Sequence, residues 1–435
     1  MGQQHKRHYK GFFQALGPGI LFAGAAIGGS HIVQSTKAGA IYGFALLWVV
    51  ILANLMKYPF FRFMRQYTAS TGETIIQGYH RQGRWALWLF LIISTISAVL
   101  NIAAVTVVTG FLASNLLPCG LSLLWWCVII GGVCVVLLAV GHYPALDLAV
   151  KVIVTILAVS TIIAFLAAVC HSPALTTSRP CPPIWNAGGI VFLLALMGWM
   201  PAPIDVGAWP TLWALERKRQ TGHLATMRET MVDFHTGYIG AAVLAVAFLG
   251  LGAIVMFDSG QTPAASGAKF ITQFINLYTD TLGQWSRYFI AAAAFTCMFS
   301  TTLTCFDGYT RTVHDAFCLA VGRKNAIRED VLYWVVMGVF FASAIAIILG
   351  IILLEALVLV PLITTAMLTA FLTAPIVAWL TWRVIRGRNV PSKDKPRRAM
   401  RLLARAGIIF LTGFAILFIY SQLAEKLGWP MGKIG

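Results

Sequence analysis

Apolar runs long enough to cross a lipid bilayer recur along almost the whole chain, and that recurrence restricts the fold to a bundle of membrane-spanning helices. About 20 apolar residues cover the hydrocarbon core. Eleven segments meet that length: 17–41, 44–66, 86–111, 121–141, 148–170, 187–212, 236–257, 286–309, 331–352, 355–382 and 403–422. With 59% of its 435 residues hydrophobic and 11% charged, the chain is far more apolar than a soluble domain. The stretches between spans leave no room for a separate soluble domain. The first apolar segment is too long, and too continuous with later spans, to be a cleaved signal, so it is expected to be retained.

The net charge of +17 raises the question of a nucleic-acid partner, but the cations sit in short stretches between spans. Lys6, Arg7 and Lys10 precede the first span, Arg65, Arg81 and Arg84 follow the second, and Arg217, Lys218 and Arg219 follow the sixth. Arg323, Lys324 and Arg328 follow the eighth, and Arg383 to Arg401 follow the tenth, whereas the other loops carry scattered charges such as Arg179 and Lys269. Cations on one face of the membrane obey the positive-inside rule. No nucleic-acid partner is expected. The rule predicts an integral plasma-membrane protein, in a bacterium of the inner membrane, with residues 1–16 cytoplasmic and 423–435 external. The eight cysteines show no CxxC spacing and mostly fall in apolar runs, as buried small hydrophobes do. Cys170 and Cys181 flank one loop, where a disulfide is conceivable.

Two places interrupt the helical pattern. Gly28-Gly29-Ser30-His31 lies inside the first span, and Pro201-Ala202-Pro203 followed by Asp205 lies inside the sixth. Irregular backbone at membrane depth is tolerated only where protein or a water-filled cavity satisfies it, and in transporters such breaks often line the substrate site. Five spans separate one break from the other, and an odd repeat length inverts the second copy. Spans 1–5 (17–170) and 6–10 (187–382) are therefore read as an inverted five-plus-five repeat, with the eleventh span (403–422) an addition. No GxxxxGK[ST] phosphate loop is present, so the chain shows no sign of ATP-driven transport, and neither catalysis nor a cofactor is expected.

Several of these residues carry a resemblance. Gly17-Pro18-Gly19 through Lys37-Ala38-Gly39-Ala40, then Tyr42-Gly43, Leu46-Leu47-Trp48-Val49 and Ala53-Asn54-Leu55-Met56, resemble the first two spans of the NRAMP divalent-metal transporters. Leu146-Asp147, Met200-Pro201 and Ser300-Thr301-Thr302-Leu303-Thr304 extend the likeness. The resemblance implies an all-α, LeuT-type fold and alternating access. It also exposes departures. The family's first break reads Asp-Pro-Gly-Asn, whose Asp and Asn bind metal; here Gly28, Gly29, Ser30 and His31 stand there. Met200 matches the family's metal-binding Met, and the carbonyl three residues earlier would come from Met197. The family's two histidines after the Met-Pro pair fall at Ala202 and Gly207, and a Gln expected in the tenth span falls near Met367. Ser94 to Asn101 in the third span carry none of the family's acids for the proton route.

The candidate substrate-binding residues are Gly28, Gly29, Ser30, His31, Met197, Met200, Pro201, Ala202 and Asp205. His31 suits a metal ligand, a proton acceptor or a donor to substrate; its plain alternative is a bond to a neighbouring helix. Free N–H groups at Gly28 and Gly29 suit an anion, and the alternative there is close helix packing. Asp205, a carboxylate in a membrane span, marks an ion or substrate path unless it pairs with an arginine at the surface. Met200 offers a soft thioether or ordinary packing. Lys57, in the middle of the second span, reads as a counter-charge or a snorkelling side chain, and Asp307 as a coupling acid or a partner of Arg311. His31, Lys57, Asp205 and Asp307 are the candidates for coupling to a proton or another cation.

Three functions remain. In the first, a divalent transition metal binds a rebuilt set of His31, Met200 and Asp205, with the Met197 carbonyl. In the second, the glycine-rich break of the first span cradles the carboxylate of a small organic solute such as an amino acid, and Asp205 receives its ammonium. A non-transporting sensor is the third. The reading adopted is a secondary transporter with a metal cargo, and the organic solute stands as its alternative.

Overall fold

The computed structural model describes residues 17–140, 143–171, 180–223, 225–264, 266–322, 326–353 and 359–427. Lys6, Arg7, Lys10, Arg179, Arg323, Lys324, Glu355 and the end of the C-terminal segment lie outside these, as do the side chains of Asp147 and Arg328. Helices occupy all eleven apolar segments. The first contains α1 (Pro18–Ala26), a wide π-helical turn (Ser30–Ser35) and α2 (Thr36–Tyr42). The second is α3 (Leu47–Thr71), and a short α4 (Ile75–Arg81) leads into the third, α5 (Arg84–Leu116). The fourth and fifth are α6 (Leu123–Val140) and α7 (Tyr143–His171). The sixth is split into α8 (Ala187–Trp199), a 3-10 turn (Asp205–Ala208) and α9 (Trp209–Thr221).

The seventh, α10 (Met227–Leu251), runs into a second π-helical turn (Gly252–Phe257). After α11 (Gly267–Leu282) come α12 (Ser286–Val321), α13 (Ala326–Leu353), α14 (Leu359–Ile385) and α15 (Arg398–Lys426). Among the described residues, eight helices are long and apolar enough to cross a membrane. Large apolar side chains stand outward on them, as with Trp125 at 59% and Ile409 at 72% exposure, and lipid is the solvent that accepts such a surface. The chain is an integral membrane protein.

Packing follows from small residues where helices cross. Helix α12 lies along α5, α10 lies along both halves of the first span, and α15 covers α3 and α14. A side chain at Gly19 would collide with the Asp233 carbonyl, and one at Gly237 with that of Gly19, so α1 and α10 meet backbone to backbone. Gly39 and Gly252 do the same between α2 and the end of the seventh span.

Helix α11 escapes a count of apolar runs because it is amphipathic. Phe270, Ile271, Phe274, Ile275 and Tyr278 are buried on one face, against α5, α7 and α12. Cys170 and Cys181 are not bonded to each other; the Cys181 thiol donates to the Tyr42 carbonyl at 3.3 Å.

Candidate functional site

The break in the first span is short and closes on itself. The Gly28 N–H donates to the Ala26 carbonyl at 2.9 Å, and the Gly28 carbonyl accepts from His31 N at 3.1 Å and Ile32 N at 2.9 Å. Ser30 Oγ reaches the Ala26 carbonyl at 2.8 Å. These bonds satisfy part of the interrupted backbone locally, and the Cys297 thiol of α12 donates to the Ile27 carbonyl at 2.8 Å, as hydrocarbon surroundings require. His31 is fully buried, with Nε2 2.8 Å from the Ala241 carbonyl and Nδ1 2.6 Å from Ser30 Oγ. Because the carbonyl can only accept, Nε2 carries the hydrogen, and Nδ1 and the Ala26 carbonyl share the single hydrogen of the Ser30 hydroxyl. Both imidazole nitrogens are thus engaged, and the ring ties the first span to the seventh, edge-on to Phe248.

The glycines are explained by proximity. A Cβ on Gly28 would lie 2.7 Å from Thr301 Oγ1 on α12, and one on Gly29 2.6 Å from the Trp199 ring on α8.

The break in the sixth span is built differently. After Trp199 the helix gives way to Met200-Pro201-Ala202-Pro203, and proline supplies no N–H to continue the ladder. Met200 N reaches back to the Met197 carbonyl at 3.3 Å, the other last carbonyls of α8 are left without helical partners, and together they carry the negative end of the helix dipole. Lys57, reaching across from α3, fills that position. Its Nζ donates to the carbonyls of Met197 at 2.6 Å, Gly198 at 2.7 Å and Ala202 at 3.2 Å. Lys57 is completely buried, and three acceptors use all three ammonium hydrogens.

Beside this ammonium stands Asp205, 2% exposed at the start of the 3-10 turn. Lys57, Ser97 and Tyr309 surround its carboxylate, but it makes no direct ion pair with Lys57. Asp205 Oδ2, Ser97 Oγ and Tyr309 Oη are all buried without a well-formed hydrogen bond.

A small cavity of about 40 Å³ separates the two breaks. Gly29 and Ser30 border it from the first span, Pro201 and Ala202 from the sixth, Asn101 from the third and Tyr309 from the eighth. Of the sequence-predicted substrate-binding residues, Gly28, His31, Met197, Met200 and Asp205 do not border it. Met197 and Met200 are buried in the sixth span. Asn101, Ser97 and Tyr309 belong to no binding motif that the sequence displays; their only signal is polarity within apolar runs.

The family model for "Natural resistance-associated macrophage protein-like" proteins, Nramp, matches residues 19–421. The chain belongs to the Nramp family. The uncharacterized protein PM0681 of Pasteurella multocida is 37% identical over 98% of this chain and 96% of its own length. A divalent metal cation transporter, MntH, of Verminephrobacter eiseniae is 25% identical over 55% of this chain and 54% of its own.

Among solved structures, a manganese transporter of Eremococcus coleocola superposes with a TM-score of 0.70 at 15% identity, covering 98% of this chain and 90% of that one. MhsT in complex with L-phenylalanine superposes with a TM-score of 0.63 at 13% identity, covering 94% and 98%. This Nramp chain therefore has the all-α LeuT-type fold with an added eleventh span, and it is a membrane transporter by family, not an enzyme.

Two further polar clusters of this Nramp chain lie apart from the cavity. Asp307 accepts from Trp213 Nε1 at 3.0 Å, Arg311 Nε at 2.6 Å and Tyr333 Oη at 3.3 Å. It braces α9, α12 and α13, and the plain reading as a partner of Arg311 describes its geometry. The second cluster joins four elements. Arg65 on α3 pairs with Asp233 on α10 at 2.8 Å, both buried, and donates to the Pro210 carbonyl at 2.8 Å. Asp233 also accepts from Gly17 N at 3.1 Å and Gly19 N at 2.7 Å, so its carboxylate caps α1 where the helix needs acceptors. Among the described residues, no three His, Cys, Asp or Glu side chains are grouped as a metal cluster. Any ion at the second break would therefore rely on carbonyls and a thioether beside one carboxylate.

Proposed function

We propose that this protein is a secondary transporter working by alternating access, and that its cargo is a divalent transition-metal ion. The ion would be held at the sixth-span break by the Met197 carbonyl, Met200 and Asp205. The observation that carries this reading is the placement of Lys57: three carbonyls already converge on one positive charge, next to the buried carboxylate of Asp205. A pocket that stabilises a tethered cation has the polarity to take a free one when the ammonium withdraws. Oxygen donors with one thioether suit a borderline transition ion better than Mg2+ or Ca2+. The metal-transporting relatives support the same cargo.

His31 drops out of the ligand set, since both its nitrogens are committed to holding the first span against the seventh. The organic-solute reading needs free N–H groups at the first break. The Gly28 N–H is bonded, and the cavity of about 40 Å³ holds an occupant of water size. The same proposal takes 17–170 and 187–382 as the two inverted halves that rock against each other. It keeps the N-terminus cytoplasmic and the C-terminus external in a plasma membrane, bacterial inner membrane included. A proton or another cation is the coupling ion, with Lys57 and Asp205 placed to sense the charge of the cargo.

The test is calorimetry and proteoliposome uptake with Mn2+, Fe2+, Zn2+ and Ni2+, set against Mg2+ and a panel of amino and carboxylic acids. Binding and uptake of a transition metal, lost in Asp205→Ala, is the expected result. A response to an organic acid with none to any metal would overturn the reading.

A further inference from the structure

A second cavity, of about 430 Å³, lies well away from the breaks, where α3, α10 and the segment leading into α15 come together. Four cations border it: Arg62 from α3, and Lys393, Lys395 and Arg397 from the connection between α14 and α15. Among the described residues none of the four forms an ion pair. The one acid on the border, Asp394, accepts from Ser70 Oγ at 2.8 Å, while its carbonyl accepts from Gln66 Nε2. These bonds pin the connection against α3, so the cations are held around a formed cavity. Arg62 Nε is buried there with no hydrogen-bond partner. Like charges gathered at this density repel unless an anion joins them.

The rest of the border is apolar, with Met227 and Met231 from α10 and Met400 from α15. From the edge of the cavity an apolar stripe continues along α15. Leu402, Ile409, Ile416 and Leu423 stand seven residues apart and are 55%, 72%, 62% and 52% exposed, and a spacing of seven keeps them on one helix face. A cationic cup opening onto a lipid-facing stripe matches one class of ligand, in which a phosphate is joined to acyl chains. Basic pockets between spans bind such headgroups.

We propose that this cup binds the phosphate headgroup of an anionic phospholipid, with Arg62, Lys393, Lys395 and Arg397 on the phosphate and the acyl chains along the α15 stripe. The proposal does not depend on the identity of the cargo.

The test uses the full chain, purified and delipidated in a neutral detergent, with its melting temperature and native mass spectrum recorded against phosphatidylglycerol, cardiolipin, phosphatidylcholine and inorganic phosphate. The anionic lipids are expected to raise the melting temperature by several degrees and to stay bound, with an effect that fades as salt is added. Phosphatidylcholine and inorganic phosphate are expected to do neither. The triple variant Lys393→Gln, Lys395→Gln, Arg397→Gln should bind anionic lipid on the order of 100-fold more weakly. Arg405→Gln, an exposed cation of α15 outside the cup, should bind as the parent does. An equal shift with phosphatidylcholine, or an unchanged shift in the triple variant, overturns the site. A full shift with inorganic phosphate alone overturns the lipid as its occupant. If the triple variant does not fold, the salt dependence of the parent protein decides instead: a shift that fades with salt supports recognition by these cations, and a salt-insensitive shift rules it out.

Discussion

The two broken spans look equivalent in sequence, each an apolar helix interrupted near its middle, but their interiors are opposite. At the first break the polar side chains turn onto the protein itself. Ser30 covers a carbonyl of its own helix, His31 bridges to α10, and the glycines let α8 and α12 press against the backbone. At the sixth-span break the carbonyls turn onto a cation from another helix, and a buried carboxylate stands beside them. A helix interruption alone therefore does not make a binding site. What distinguishes the two is whether the freed backbone groups meet neutral donors or a buried charge.

Substitutions that separate the two breaks should divide along this line. The largest effect is expected for Asp205→Ala. Removing the acid takes away the carboxylate nearest the Lys57 ammonium and should abolish metal binding in calorimetry. A parent-like response to metal would place the ion elsewhere. Lys57→Met is next. It strips three carbonyls of their donor at a cost of about 2 kcal/mol, seen as a lower melting temperature in detergent. It should also tighten transition-metal binding about tenfold, because the ion no longer competes with a tethered cation. Unchanged affinity would show that the ammonium does not share the ion's position.

Smaller effects belong to the first break. Gly28→Ala forces a methyl group against Thr301 and should cost about 1–3 kcal/mol through overpacking, relieved in part by Thr301→Ser. If that double variant melts no higher than Gly28→Ala, the crowding lies elsewhere. His31→Ala loses two hydrogen bonds, about 1–2 kcal/mol, while metal affinity stays at the parent value. A tenfold loss of affinity would extend the site across both breaks and erase the contrast between them.

How far the sequence could be read varied with the range of the interaction. Hydropathy marked eleven apolar segments that all hold helices because burial in lipid acts on each helix separately, and it missed α11 because half of that helix is polar. The family signature was legible in contiguous motifs such as Gly17-Pro18-Gly19 and Met200-Pro201. The fate of His31 was not, since its acceptor is a carbonyl 210 positions away and a carbonyl leaves no residue signature. The same holds for Lys57, whose acceptors are all backbone atoms of the sixth span. Arg65 reads in the sequence as a cation following the second span, and only packing showed it to be half of a buried pair with Asp233 that caps α1.

The sequence by itself determined that the chain lies in a membrane, where its helices run and where two of them break, because hydrophobic transfer and the missing N–H of proline are properties of residues and their near neighbours. Tertiary structure alone decided which break is tied down by its own side chains and which is closed by a lysine from another helix. That choice depends on the direction of carbonyls at a helix end and on which distant side chain reaches them, and both are set only when the helices pack.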